Sequence, residues 1–145
     1  MPLNNAQSLS LATTLRLLEE RCDQMQRLLV GAEHAGVLLR TVRDIPADTR
    51  SALVDQLAAV RAEIAHLAAR FQLAIAPRSA RQALAALLAT GWQDLEDERP
   101  DKLRRYGPVD PAVIPALDAS VSQLIWHIQT MQALLAGDRQ PEPPQ

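Results

Sequence analysis

Glu63 and His66, in the stretch Glu63-Ile-Ala-His66, are spaced as a metal pair, because residues three apart share one face of a helix. Di-iron helical bundles build their centres from two such motifs, plus a glutamate from each of two further helices, all facing inward. This chain has one Glu-x-x-His. With Ile64 and Leu67 on the apolar seam of that helix, Glu63 falls on the flank and His66 lies further round. Both are expected in solvent, and no metal is expected.

The remaining histidines are His34 and His127. His34, in "GAEHAGVLLR", could be a phosphotransfer histidine, but Ala35-Gly36 follow where such domains place a lysine and a glycine. His127 flanks the seam beside Ile128, with nothing near in sequence to orient it as a base. Cys22 is the single cysteine, which excludes an internal disulfide and a cysteine-based zinc site. At a seam position it is expected to be packed and inert.

A helical magnesium enzyme would need repeated Glu-x-x-Glu pairs on facing helices. Here Glu19, Glu20 and Asp23 cluster on one helix, and Asp94, Glu96, Asp97 and Glu98 on another. The chain shows no glycine-rich phosphate loop, no serine nucleophile elbow and no basic-aromatic ladder. The sequence therefore assigns no catalytic residue and no cofactor.

Recognition is the chemistry that two places suggest. In "GWQDLEDERPDKLRRYGP", Gly91 to Pro108, acids precede bases around a mid-segment proline. The pairs Glu98–Lys102 and Asp101–Arg105 are four apart, worth a few tenths of a kcal/mol each on a continuous helix. Pro100 must kink or restart that helix. The segment reads as an elbow, with Trp92, Leu95, Leu103 and Tyr106 plugging one end of the bundle and the charges in water. Trp92, Arg99, Arg104, Arg105 and Tyr106 are also the residue types that dominate binding hot spots. The second place is Ile125-Trp126 on the last long helix. If Leu124, Ile128 and Met131 fill its seam, this pair faces outward and offers an uncharged surface to another chain.

These residues are carried by four helical segments. Leu11, Leu15, Leu18, Cys22, Met25, Leu29, Ala32, Gly36 and Leu39 recur alternately four and three apart, which predicts one long helix from about Ser8 to Val42. Its seam thins at Ala32 and Gly36. Asp44-Ile45-Pro46 breaks it, and proline suits a first turn, so a second helix starts near Pro46. That helix carries Leu53, Leu57, Val60, Ile64, Leu67 and Phe71 and stops before Pro77. Ser79-Ala-Arg-Gln82 reads as a capping box for a third, with Leu84, Leu87, Leu88, Gly91, Trp92 and Leu95. The fourth begins at Pro111 or Pro115, carries Ile114, Leu117, Val121, Leu124, Ile128, Met131 and Leu135, and ends at Gly137.

Composition agrees with helices. Hydrophobic residues make up 48% of the 145 residues but aromatics only 3%, so the core is Leu, Ala, Ile and Val. The expected fold is an all-α, antiparallel up-down four-helix bundle over residues 1–137, with a kinked, extended connection between its third and fourth helices. A disordered polar tail follows over 138–145. A net charge of −2 gives no electrostatic reason to expect nucleic acid or an anionic membrane. "MPLNNAQSLS" lacks a basic segment followed by an apolar run, and the uncharged stretch Ala119–Gly137 carries Ser, Gln, His and Thr throughout. No secretory leader and no membrane span are expected, and a cytoplasmic location is. One lysine, Lys102, among fifteen basic residues suggests a GC-rich bacterial genome. The expected function is an interaction or assembly module binding a protein partner or itself as a homodimer. The alternative is a small all-α enzyme or ligand binder using the charged elbow, residues 92–106.

Overall fold

The computed structural model describes residues 2–137 and 141–145 and is all-α. Five helices follow in order, α1 (Asn5–Val30), α2 (Ala47–Arg70), α3 (Ala80–Glu96), α4 (Pro100–Leu103) and α5 (Ile114–Ala136), with a 3-10 turn at Arg104–Tyr106 after α4. Among the described residues there is no strand, only an isolated bridge between Ala35 and Arg40. No helix among them is long and apolar enough to cross a membrane. The chain divides into two compact units, Met1–Ala76 and Pro77–Gln145.

In the first unit α1 and α2 pack as a helical pair. A full capping box starts α1, since Asn4 Oδ1 accepts from the Gln7 N–H while Gln7 Oε1 accepts from the Asn4 N–H. The core is Cys22, Leu29 and Leu57, with Leu18, Val54 and Val60 against it, and Ala12, Leu15 and Ile64 are buried as well. Arg61 joins the pair from outside by donating to Asp23 Oδ1 at 2.9 Å. Pro46 caps α2 as expected, with Asp48 in its first turn, where the helix dipole favours an acid.

The first helix is shorter than its periodicity predicts. It stops at Val30, and Gly31 turns the backbone into extended conformation while its N–H still bonds Arg27 O. A Cβ at Gly31 would run into that same carbonyl oxygen, so the stop depends on glycine. Arg43 then donates to Gly31 O and holds the following loop in place. Residues expected on the helix form a tight turn instead, with Gly36 N–H on Leu39 O and Thr41 N–H on His34 O. Val37, Leu38 and Leu39 are exposed at its tip.

In the second unit α3 packs along α5, and α4 touches α5. Ser79 Oγ accepts from the Gln82 N–H at 3.2 Å, the serine half of the expected box. Pro100 restarts the chain as a single helical turn and is itself buried. Leu88, Val121 and Ile125 form the buried centre. α5 begins with Pro115 in its first turn and closes on Gly137 in the left-handed conformation, φ 77°. Of the expected tail, residues 138–140 lie outside the described residues, and 141–145 have no regular structure.

Candidate recognition site

The elbow is organised by Arg99. Its Nε and Nη2 donate to the two carboxylate oxygens of Glu96 at 2.9 and 3.3 Å, a bidentate grip on the last turn of α3. Its Nη1 donates to Asp118 Oδ1 at 3.1 Å and to Ser122 Oγ at 3.0 Å, both on α5. The side chain is half-buried, and its pKa is raised, chiefly by the hydrogen bond to Glu96 and then by attraction to Glu96 and Asp118, against a lowering by burial. These four hydrogen bonds are internal to the second unit, the structural part that the elbow reading assigns to the segment.

Beyond Pro100 the short helix and 3-10 turn carry the rest of the elbow. Leu103 is half-buried, whereas Tyr106 is 76% exposed and so does not plug the end of the helical pair. Arg104 and Arg105 are exposed, and the Arg105 guanidinium sits 4.8 Å from the centre of the Tyr106 ring. Gly107 leaves this turn with φ 134°, a conformation suited to glycine. The structure therefore splits the expected cluster. Arg99 fastens, Trp92 is half-buried on α3, and Arg104, Arg105 and Tyr106 stand in solvent.

Of the Ile125-Trp126 pair, Ile125 is corrected. Ile125 is 4% exposed and sits in the core, while Leu124 and Met131, expected inside, are 52% and 44% exposed. The inward face of α5 is thus rotated toward Val121 and Ile125. The physical reason is the composition of the helix, whose only Asp, Glu, Lys or Arg is Asp118, so polar residues do not fix which apolar face turns inward. Trp126 is half-buried. Its indole N–H donates to Pro141 O at 3.0 Å, and its ring meets that of His127 edge-on at 4.7 Å.

Glu63 and His66 are both exposed on α2, as are His34 and His127. Cys22 is fully buried. Among the described residues no three His, Cys, Asp or Glu side chains are grouped to hold a metal ion.

Sequence reasoning missed the apolar residues left open on α3 and α5. Leu84, Leu87, Leu124, Met131 and Leu134 are all at least 44% exposed. The signal was present, because Gln82–Gln93 and Ala119–Ala136 contain no Asp, Glu, Lys or Arg. A helix in water on one side normally carries charge there. The chain matches no protein-family model, no curated protein and no solved structure.

Proposed function

We propose that this protein is a helical interaction and assembly module, acting through apolar helix faces toward a protein partner or a second copy of itself. The observation that carries this reading is the set of large apolar side chains left open on two neighbouring helices, α3 and α5. Along α1 every seventh residue, Leu15, Cys22 and Leu29, is buried, whereas of the alternate seam positions Leu18 is half-buried and Met25 exposed. On α2 the seam residue Leu53 is likewise open, at 42%. The up-down four-helix bundle expected from the sequence belongs to this proposal, since a bundle core is built from the apolar positions of all its helices. A cytoplasmic site of action belongs to it too, as does independence from nucleic acid and anionic membrane, which the net charge of −2 supports.

The experiment is thermal unfolding at several protein concentrations, with and without divalent cations and nucleotides. An association module of this kind melts at a temperature that rises with its own concentration or with added partner protein. A melting temperature indifferent to concentration but raised by a metal ion or small ligand favours the alternative, an enzyme or ligand binder using residues 92–106.

A further inference from the structure

α5 ends on Gly137, whose left-handed backbone turns the chain off the helix. The next described residue, Pro141, lies against Trp126. Trp126 stands about three turns, roughly 16 Å of helix axis, before Gly137. Residues 141–145 therefore begin along the side of α5 and not beyond its end.

One hydrogen bond holds them there. Trp126 Nε1 donates to Pro141 O at 3.0 Å, and both residues are half-buried, whereas residues 142–145 are exposed. The indole has its own support. The His127 ring meets it edge-on at 4.7 Å, and Gln123 Nε2 lies 3.3 Å from His127 Nε2. Gln123, Trp126 and His127 all belong to α5, so the donor is positioned by the helix that carries it.

The segment that meets this donor reads Pro141-Glu-Pro-Pro-Gln145. Proline has no backbone N–H and favours the extended polyproline conformation, which makes no internal hydrogen bonds. Such a segment presents carbonyl acceptors and ring surface. An indole is the complement of both, a single donor on a flat apolar body with no acceptor of its own. Proline-rich segments are recognised on aromatic surfaces for that reason. Charge has little part in the contact. Asp118 is the only Asp, Glu, Lys or Arg on α5, and Glu142 is exposed with no ion pair among the described residues.

We infer that Trp126, oriented by His127, is the contact residue of a site for an extended, proline-rich peptide segment. The chain's own residues 141–145 fill that site and compete with a proline-rich segment of a partner protein. The inference goes beyond the interaction-module reading, which rests on the open leucines of α3 and α5 and not on this contact.

The test follows the indole N–H signal of Trp126 in a proton–nitrogen correlation spectrum of the full chain, assigned by its loss in Trp126→Phe. Pro141→Gly combined with Pro143→Gly and Pro144→Gly releases the segment, so the signal moves and its exchange with solvent quickens. Adding the capped peptide Pro-Glu-Pro-Pro-Gln to that variant at millimolar concentration returns the signal toward its wild-type position. The same peptide with alanine for every proline does not. Wild type needs roughly tenfold more peptide for the same response, because a short tether keeps its own segment at millimolar effective concentration. Should the glycines lower the helical circular dichroism, Pro141→Ala with Pro143→Ala and Pro144→Ala takes their place. A signal unmoved in the released variant overturns the inference, as does a peptide that fails to bind it or binds no better than its alanine counterpart. A wild-type signal that shifts with protein concentration overturns it too, since residues 141–145 would then come from a second copy. Each of these outcomes leaves the interaction-module reading to its own melting experiment.

Discussion

Arg99 Nη1 donates to Asp118 Oδ1 at 3.1 Å, which joins the last residue before Pro100 to the first turns of α5. Proline removes a backbone donor where the chain leaves α3. The arginine replaces continuity along the helix with a bond across to its neighbour, and Glu96, gripped by the same guanidinium, keeps the end of α3 in register.

Arg99→Gln is therefore expected to lower the stability of the second unit by about 1 kcal/mol, in the range of partly exposed ion pairs. Because folding raises the pKa of Arg99, its contribution is complete below the unfolded-state value and fades only as pH rises through the folded one. Both lie in strong alkali. The difference between wild type and variant in urea melts should thus not vary through the titration of Arg99 at neutral pH.

Ile125 and Leu124 are neighbours with opposite roles. Ile125→Glu places a charge in the core beside Leu88 and Val121 and should cost about 4 kcal/mol or more, unfolding the second unit. Leu124→Glu, at a position already 52% exposed, should leave the helical signal and the urea midpoint of the monomer within about 0.5 kcal/mol of wild type. Circular dichroism during urea titration separates the two.

Gly91 is helical and has room for a side chain, since a Cβ there would meet only Ile128 Cδ1, at the ordinary contact distance of 3.7 Å. Gly91→Ala should stabilise the second unit by up to about 1 kcal/mol through helix propensity. Gly31→Ala should do the reverse in the first unit, because its Cβ collides with the Arg27 carbonyl. Melting temperatures moving in opposite directions would confirm both.

Cys22 is fully enclosed by the α1–α2 core. In the native protein it should not react with a thiol reagent, and labelling should appear only when the first unit opens. Leu57→Ala, which removes part of its enclosure at a typical cost of about 2–5 kcal/mol, should speed that labelling before any change in the second unit. Mass spectrometry over a labelling time course reads the rate.

Where sequence alone was enough, local chemistry acted within a turn or two. Pro46, Ser79, Pro100 and Gly137 mark helix boundaries because each changes what the adjacent backbone can bond. Periodicity misled where it ran on past a backbone stop. Ala32, Gly36 and Leu39 continue the four-three spacing, yet Gly31 and the bond from Arg43 end α1 before them. Rotation of α5 was illegible for a different reason, since Leu124, Ile125, Trp126 and Ile128 are all apolar and contacts with α3 select among them. The role of Arg99 depends on Asp118, nineteen residues away. No reading of the elbow by itself contains that partner.

Val37 and Leu38, 100% and 99% exposed at the tip of the turn between α1 and α2, add no burial to either helix. The tip of the link buries nothing, and the bond from Arg43 to Gly31 O holds the link at its base. A protease that cuts beside Leu38 would leave a nicked first unit whose halves stay together through Cys22, Leu29, Leu57 and the Arg61–Asp23 bond. The gene could be divided at that codon and the two peptides would reassemble, with the enclosed thiol of Cys22 reporting when they had.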